Sequence, residues 1–226
     1  MPSRRLGRSL GIDFVPFKTC SYDCIYCQLG RTTAKTIERK EYAPVDAVLK
    51  EVEEKLKTIS PPDYITLSGS GEPTLHSGIA DIIFGIKKIS SIPVAVLTNG
   101  SLLWIGEVRD AVSGADLVIP SLDAGSEEAF LRVNRPHSGI IFKKMVEGIC
   151  TFREGFRGPV WLEVFITGGI TDSDDEITRI KTLADRIGPE RIQLNTTVRT
   201  PAEAYAKMVN REKWKRFRLF SAGLAR

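Results

Sequence analysis

The chain has 226 residues, 42% of them hydrophobic and 27% charged, with a formal net charge of +4. This length and balance describe a globular domain with one substantial core and exclude a low-complexity or disordered chain. No run approaches the roughly 18 apolar residues of a membrane span, and Met1-Pro-Ser-Arg-Arg-Leu6 lacks the apolar stretch of a signal peptide. A cytoplasmic protein without a membrane partner is therefore expected, in a reducing setting where clustered cysteines bind metal rather than form disulfides.

The predicted elements alternate along the chain. Residues 10–17 read as a first strand, which enters the loop Cys20-Ser-Tyr-Asp-Cys24-Ile-Tyr-Cys27. Residues 44–59 have helical periodicity (Val45, Val48, Leu49, Val52, Leu56), and Pro44 suits a helix start. Residues 63–69 form a short strand ending in Gly69, and 79–89 a helix. The strand at 94–97 runs into Thr98-Asn99-Gly100, followed by a helix at 104–112. The strand at 116–119 ends at Ser121-Leu-Asp123, followed by helices at 126–133 and 140–152. The strand at 160–166 ends at Thr167-Gly-Gly169, and the helix at 174–187 has the acidic first turn that its dipole favours. A last strand at 191–194 ends at Asn195.

Six β-α units predict a parallel sheet with helices outside it. An open sheet and a barrel fit this count equally, and in both the active site gathers at the C-terminal ends of the strands. The expected division is a core domain at 1–198 and a basic C-terminal helical extension at 199–226. That tail carries Arg199, Lys207, Arg211, Lys213, Lys215, Arg216, Arg218 and Arg226 against Glu203 and Glu212. It reads as a solvated helix or as a face for RNA phosphates.

The chemistry gathers in few places. Cys20, Cys24 and Cys27 put three thiols into eight residues. Three is one ligand short of a structural zinc site and of a cluster held by four cysteines. An iron left open at one corner can bind and activate a small molecule. Cys150, alone in an apolar helical pattern, reads as a buried structural thiol.

The turn Ser68-Gly-Ser70-Gly71-Glu72-Pro73 allows close backbone approach to a ligand, and Glu72 can accept from an ammonium group. The alternative is an ordinary tight turn. Asn99, Ser121, Asp123 and Asn195, at successive strand ends, suit either ligand contacts or strand-end caps. Glu163 lies within the fifth strand. Arg135 suits a phosphate or carboxylate and His137 an acid or base, or both belong to a helix-terminal turn. His76 reads as a loop residue.

The cysteine triplet after the first strand, with Tyr26 before its last cysteine and Gly71-Glu72 after the second strand, resembles the radical S-adenosylmethionine (SAM) enzymes from about Leu10 to Asn195. The resemblance implies a partial (β/α)6 TIM-type barrel. It implies a [4Fe-4S] cluster on Cys20, Cys24 and Cys27, with SAM chelated by the open iron and cleaved to a 5′-deoxyadenosyl radical. It also implies SAM contacts from Tyr26, Ser70, Gly71, Glu72, Asn99, Ser121, Asp123 and Asn195.

Ser121-Leu-Asp123-Ala124, followed by Phe130 to Pro136, is similar to the branch containing the wybutosine-type tRNA-guanine-modifying enzymes. That branch adds a second cluster on N-terminal cysteines and often a flavodoxin-type domain, neither found in these residues. A separate ferredoxin- or flavodoxin-type electron donor and a monomeric protein are expected. Three functions remain open: an enzyme acting on a tRNA base or nucleotide, an activase acting on a partner protein, and a non-catalytic metal-binding module.

Overall fold

The computed structural model describes residues 2–3 and 6–222. A short β1 (Pro2–Ser3) pairs antiparallel with β2 (Gly7–Ile12). The two-residue strands β3 (Thr19–Cys20) and β4 (Ala34–Lys35) pair parallel at the base of the cysteine loop. Then follow α1 (Val45–Leu56), β5 (Tyr64–Leu67), α2 (Ile79–Ile89), β6 (Val94–Thr98), α3 (Gly106–Val112), β7 (Leu117–Pro120), α4 (Glu127–Asn134) and α5 (Phe142–Gly155). The chain continues with β8 (Trp161–Ile166), α6 (Asp174–Ile187), β9 (Arg191–Thr196) and α7 (Arg211–Ala222).

Strands β2, β5, β6 and β7 pair parallel in that order, and β8 pairs parallel with β9. The two groups meet through the parallel bridges Val118–Val160 and Ser121–Glu163, where Leu122 N–H donates to the Glu163 carbonyl at 2.8 Å. The strands thus follow one another in chain order, with helices between them. This is the partial (β/α)6 barrel that the resemblance implied, extended by the antiparallel β1.

Side chains alternate across the strands. Ile65, Leu67, Val94, Val96, Val118, Leu162 and Val164 join the main core with the helices. Ala95, Leu117 and Ile119 point the other way and form a second apolar cluster with Leu6. On β8 the face alternate to Leu162 and Val164 carries Trp161, Glu163 and Phe165, so a single carboxylate stands between two aromatic rings there.

The helices are set by period and caps. α2 buries Ile79, Ile82, Ile83 and Ile86, three and four residues apart. Each such side chain contributes about 2–3 kcal/mol of burial. In α6 the Ser173 hydroxyl caps Glu176 N–H, and Gly188 closes the helix at φ +65°.

Two expectations need correction. The first strand runs over Gly7–Ile12 rather than 10–17. Pro16 has no N–H for a ladder, and Asp13 leaves the sheet to accept from Ser70 N–H at 3.0 Å. The tail is helical only from Arg211. Before that it folds back: Glu203 N–H donates to the Ile25 carbonyl at 2.9 Å, and Gly168 N–H to the Lys207 carbonyl at 2.9 Å. α7 then places Phe217 in the core. Lys213 pairs with Asp172 at 3.0 Å and Arg216 with Asp174 at 3.2 Å, so part of the basic charge is neutralised within the chain. The side chain of Arg218, and all of Arg226, lie outside the described residues. Among the described residues no helix is long and apolar enough to cross a membrane.

Candidate active site

The cysteine loop lies across the C-terminal ends of β5 to β8. Its first turn is stitched to the Ser70–Glu72 turn after β5: Lys18 N–H donates to the Ser70 carbonyl at 2.8 Å, and Glu72 N–H to the Thr19 carbonyl at 3.0 Å. A Cβ on Gly71 would lie 2.4 Å from the Thr19 oxygen and 2.7 Å from Val15 Cγ1. Glycine is needed at this position because the two loops touch there. Gly71→Ala is expected to force them apart, costing about 1–3 kcal/mol and lowering iron retention after reconstitution. Thermal unfolding and iron content equal to those of the wild type would refute this.

Two polar networks flank the thiols. In the first, Glu72 is 3% exposed, and its Oε1 accepts from Thr74 N–H (3.1 Å), Thr74 Oγ1 (2.6 Å) and Thr98 Oγ1 (2.5 Å). Oε2 accepts from Asn99 N–H at 2.8 Å. The carboxylate expected to receive an ammonium group is therefore already held by four protein donors. Burial raises its pKa against those bonds. The Asn99 amide donates to Ser21 Oγ at 2.8 Å and to Cys20 Sγ at 3.5 Å.

In the second network, buried Asp123 accepts from the Tyr26 hydroxyl, from Asn134 Nδ2 at 2.8 Å and from Phe165 N–H at 3.0 Å. The same Asn134 amide donates to Cys24 Sγ at 3.4 Å. Tyr26 stacks on Phe165, with ring centroids 3.8 Å apart and planes 11° apart. The third thiol, Cys27, accepts from Lys18 Nζ at 3.4 Å. Burial pushes the Cys20 thiol up to about 12 and raises that of Cys24 well above its usual value. Metal binding here must displace thiol protons.

Burial also pushes the Asp123 carboxyl from 3.8 up to about 6. The folded protein then keeps a proton that the unfolded chain releases between about pH 4 and 6. The group's contribution to stability falls as pH rises through that window, by about 3 kcal/mol for a shift of about two units. Urea unfolding between pH 4 and 7 should show this decline, and Asp123→Ala should lose it. A variant profile parallel to that of the wild type would contradict the assignment.

A cavity of about 520 Å³ opens beside the loop, lined by Tyr26, Cys27, Glu163, Phe165, Asn195 and Arg199, among others. Asn195 Nδ2 donates to Glu163 Oε1 at 2.8 Å on its wall. Of the predicted SAM contacts, Tyr26 and Asn195 line this cavity, together with the predicted ligand Cys27. Ser121 supplies backbone to the sheet joint, its N–H donating to the Thr98 carbonyl at 3.1 Å.

Arg135 is taken up inside the protein, with Glu203 at 2.8 Å and Asp23 at 3.2 Å, and His137 N–H donates to the Ser21 carbonyl. This stretch braces the cysteine loop. His76 is buried, with its ring between Ala43 and Gly78. Lys18, Asn134 and Glu203 were missed as site residues, because no local motif marks them.

The residues suit a [4Fe-4S] cluster. Three cysteines on one loop each receive an N–H donor at sulfur, which is how proteins support cluster ligands. Among the described residues no three His, Cys, Asp or Glu side chains stand close enough to grip a single ion. In a four-iron cluster each cysteine sulfur meets a different iron.

A parallel partial barrel with such a loop at its strand mouths is the build of a radical SAM enzyme, and the family model described as "Radical SAM superfamily" matches residues 14–184. A UPF0026 protein from Helicobacter pylori (strain J99) is 35% identical over 226 residues, covering 98% of this chain and 72% of that protein. The chain belongs to the radical SAM superfamily and, within it, to the UPF0026 proteins.

It is also similar to a protein named GTPase Obg from Brachyspira hyodysenteriae, 46% identical over 211 residues. The match covers 93% of this chain but only 31% of that protein. The fold is similar to the structure of TYW1 with a lysine-pyruvate adduct bound, with a TM-score of 0.67 at 15% identity over 95% of this chain and 73% of that one. Radical SAM enzymes use a [4Fe-4S] cluster and SAM, the cofactor pair expected from the sequence.

Proposed function

We propose that Cys20, Cys24 and Cys27 hold a [4Fe-4S] cluster and that the protein cleaves SAM reductively to act on a substrate in the adjoining cavity. The observation that carries this reading is that each cysteine sulfur receives a side-chain N–H donor, Asn99 on Cys20, Asn134 on Cys24 and Lys18 on Cys27, with Tyr22 N–H a second donor on Cys20. Such donors do little for neutral thiols and much for sulfurs that carry cluster charge. When bound, the cluster supplies an open iron for SAM and the electron that splits SAM into methionine and a 5′-deoxyadenosyl radical.

The chain's own residues place and enclose the reactants. Glu72 fixes the turns after β5 and β6 by accepting from Thr74, Thr98 and Asn99. The stacked Tyr26 and Phe165 rings present an apolar wall, and the Glu163–Asn195 pair a polar one. The cavity has the size of an ordinary small-ligand site. Arg199 on its wall offers a cation to a phosphate, which favours a tRNA base or nucleotide as substrate over a glycine of a partner protein. A ferredoxin- or flavodoxin-type donor supplies the electron.

The test is anaerobic reconstitution, reduction with dithionite and chromatographic assay for 5′-deoxyadenosine, with SAM alone and with tRNA or nucleotides added. Stoichiometric iron and sulfide without 5′-deoxyadenosine under any condition would defeat the enzymatic reading. Formation enhanced by nucleotides or tRNA supports the substrate class.

A further inference from the structure

Within the cysteine loop, the backbone of Lys18 works against its side chain. Its φ is +60°, the left-handed region that glycine adopts without cost. In a lysine this conformation costs about 1 kcal/mol and persists only where the surroundings fix it. Here they do. Lys18 N–H donates to the Ser70 carbonyl at 2.8 Å, and its own carbonyl accepts from Thr33 and Ala34 N–H at 3.2 and 3.1 Å.

The residue is 3% exposed, and its Nζ donates to Cys27 Sγ at 3.4 Å. A buried cation requires a counter-charge, and the partner at hydrogen-bond distance is a sulfur. Glycine would suit the backbone better, and what lysine adds at this position is an ammonium on the Cys27 sulfur. The matching donors on Cys20 and Cys24 are the neutral amides of Asn99 and Asn134. Lys18 is thus the charged member of the three.

We infer that Lys18 is a positioning residue that sets the cluster's reduction potential. Net charge and hydrogen bonds at sulfur are the protein's main controls over that potential. An ammonium on the Cys27 sulfur offsets the negative charge the cluster gains on accepting an electron, and so makes the one-electron couple less negative. This rests on the cluster assignment proposed above and goes beyond it by naming the residue that eases the reduction.

The experiment uses the full chain, reconstituted anaerobically, with Lys18→Met and Lys18→Gly. The first removes the charge while keeping most of the side chain; the second also relieves the backbone. Both are expected to stay folded, with the Lys18→Gly unfolding midpoint within a few degrees of the wild type.

Redox titration followed by electron paramagnetic resonance should place the midpoint potential of both variants more negative than that of the wild type. Lys18→Arg should return it toward the wild-type value. Folded variants of both kinds that retain no iron show that the side chain holds the cluster in place and overturn the inference that its charge sets the potential. An unchanged potential in both loaded variants overturns the inference and leaves the cluster assignment standing. A wild-type protein that takes up no iron and sulfide overturns both.

Discussion

Replacing any one of Cys20, Cys24 or Cys27 by alanine is expected to reduce 5′-deoxyadenosine formation to the background of protein without a cluster. The loop carries no spare ligand. The fourth cysteine, Cys150, is buried in α5 among core residues. Each of the three sulfurs also has its own donor on a different element: Asn99 after β6, Asn134 at the end of α4, and Lys18 before β3.

Loss of one sulfur therefore strands a donor as well as an iron. Cys150→Ala serves as the comparison. It removes a buried sulfur, costs about 1–2 kcal/mol of packing, and should leave product formation per bound cluster unchanged. The measurements are iron content and 5′-deoxyadenosine per protein. Full activity in Cys24→Ala, or equal loss in Cys150→Ala, would end the assignment.

Glu72→Ala should have the second-largest effect. The side chain is fully enclosed, and its two oxygens take four hydrogen bonds from two successive strand ends. Removing it leaves Asn99 N–H and Thr74 N–H buried without acceptors, while the two threonine hydroxyls can rotate. Each stranded donor costs about 1–3 kcal/mol, partly offset by no longer burying a carboxylate, for a net of about 2–4 kcal/mol.

The functional loss should exceed this. Asn99, released by the same change, is the residue that bonds Cys20. The expected result is a lower unfolding midpoint together with SAM turnover reduced at least about tenfold under conditions where the variant is folded. Glu72→Gln keeps an acceptor and should fall between the two. A Glu72→Ala protein with wild-type turnover would show that the turn after β5 does not govern the site.

Much of this arrangement is legible in the residues themselves. Ile79–Ile89 matches its expected bounds on apolar period alone, and Asp174–Ile187 because period, the Ser173 cap and the terminal Gly188 agree there. The strand-end turns after β5, β6 and β7 are also where the pattern places them, because short buried strands end where small and polar residues begin. Barrel and open sheet could not be separated by pattern, since what decides between them is the order in which distant strands pair, here each beside its successor from β2 through β5 to β9.

Arg135 and His137 fall to the helix-terminal turn, the second of their two readings, for a related reason. A positive turn after a helix looks available to a substrate until Asp23 and Glu203, distant in sequence, are brought to it. Asn134 lies in the stretch from Phe130 to Pro136 but shows no role at the thiols in the sequence, because a hydrogen bond to sulfur across 110 residues has no local signature; Lys18, nine residues from Cys27, lies outside the motif.

Glu203 adds a question of timing. Its N–H holds the Ile25 carbonyl, and its carboxylate accepts from Arg31, a partner 172 residues earlier in the chain. During synthesis the three thiols leave the ribosome long before the segment that braces them. Until the last strand and the residues after it arrive, the loop is an unsupported set of oxidisable thiols. Stable cluster insertion is thus expected to wait for the segment around Glu203, which leaves the thiols open to oxidation until that segment has folded onto them.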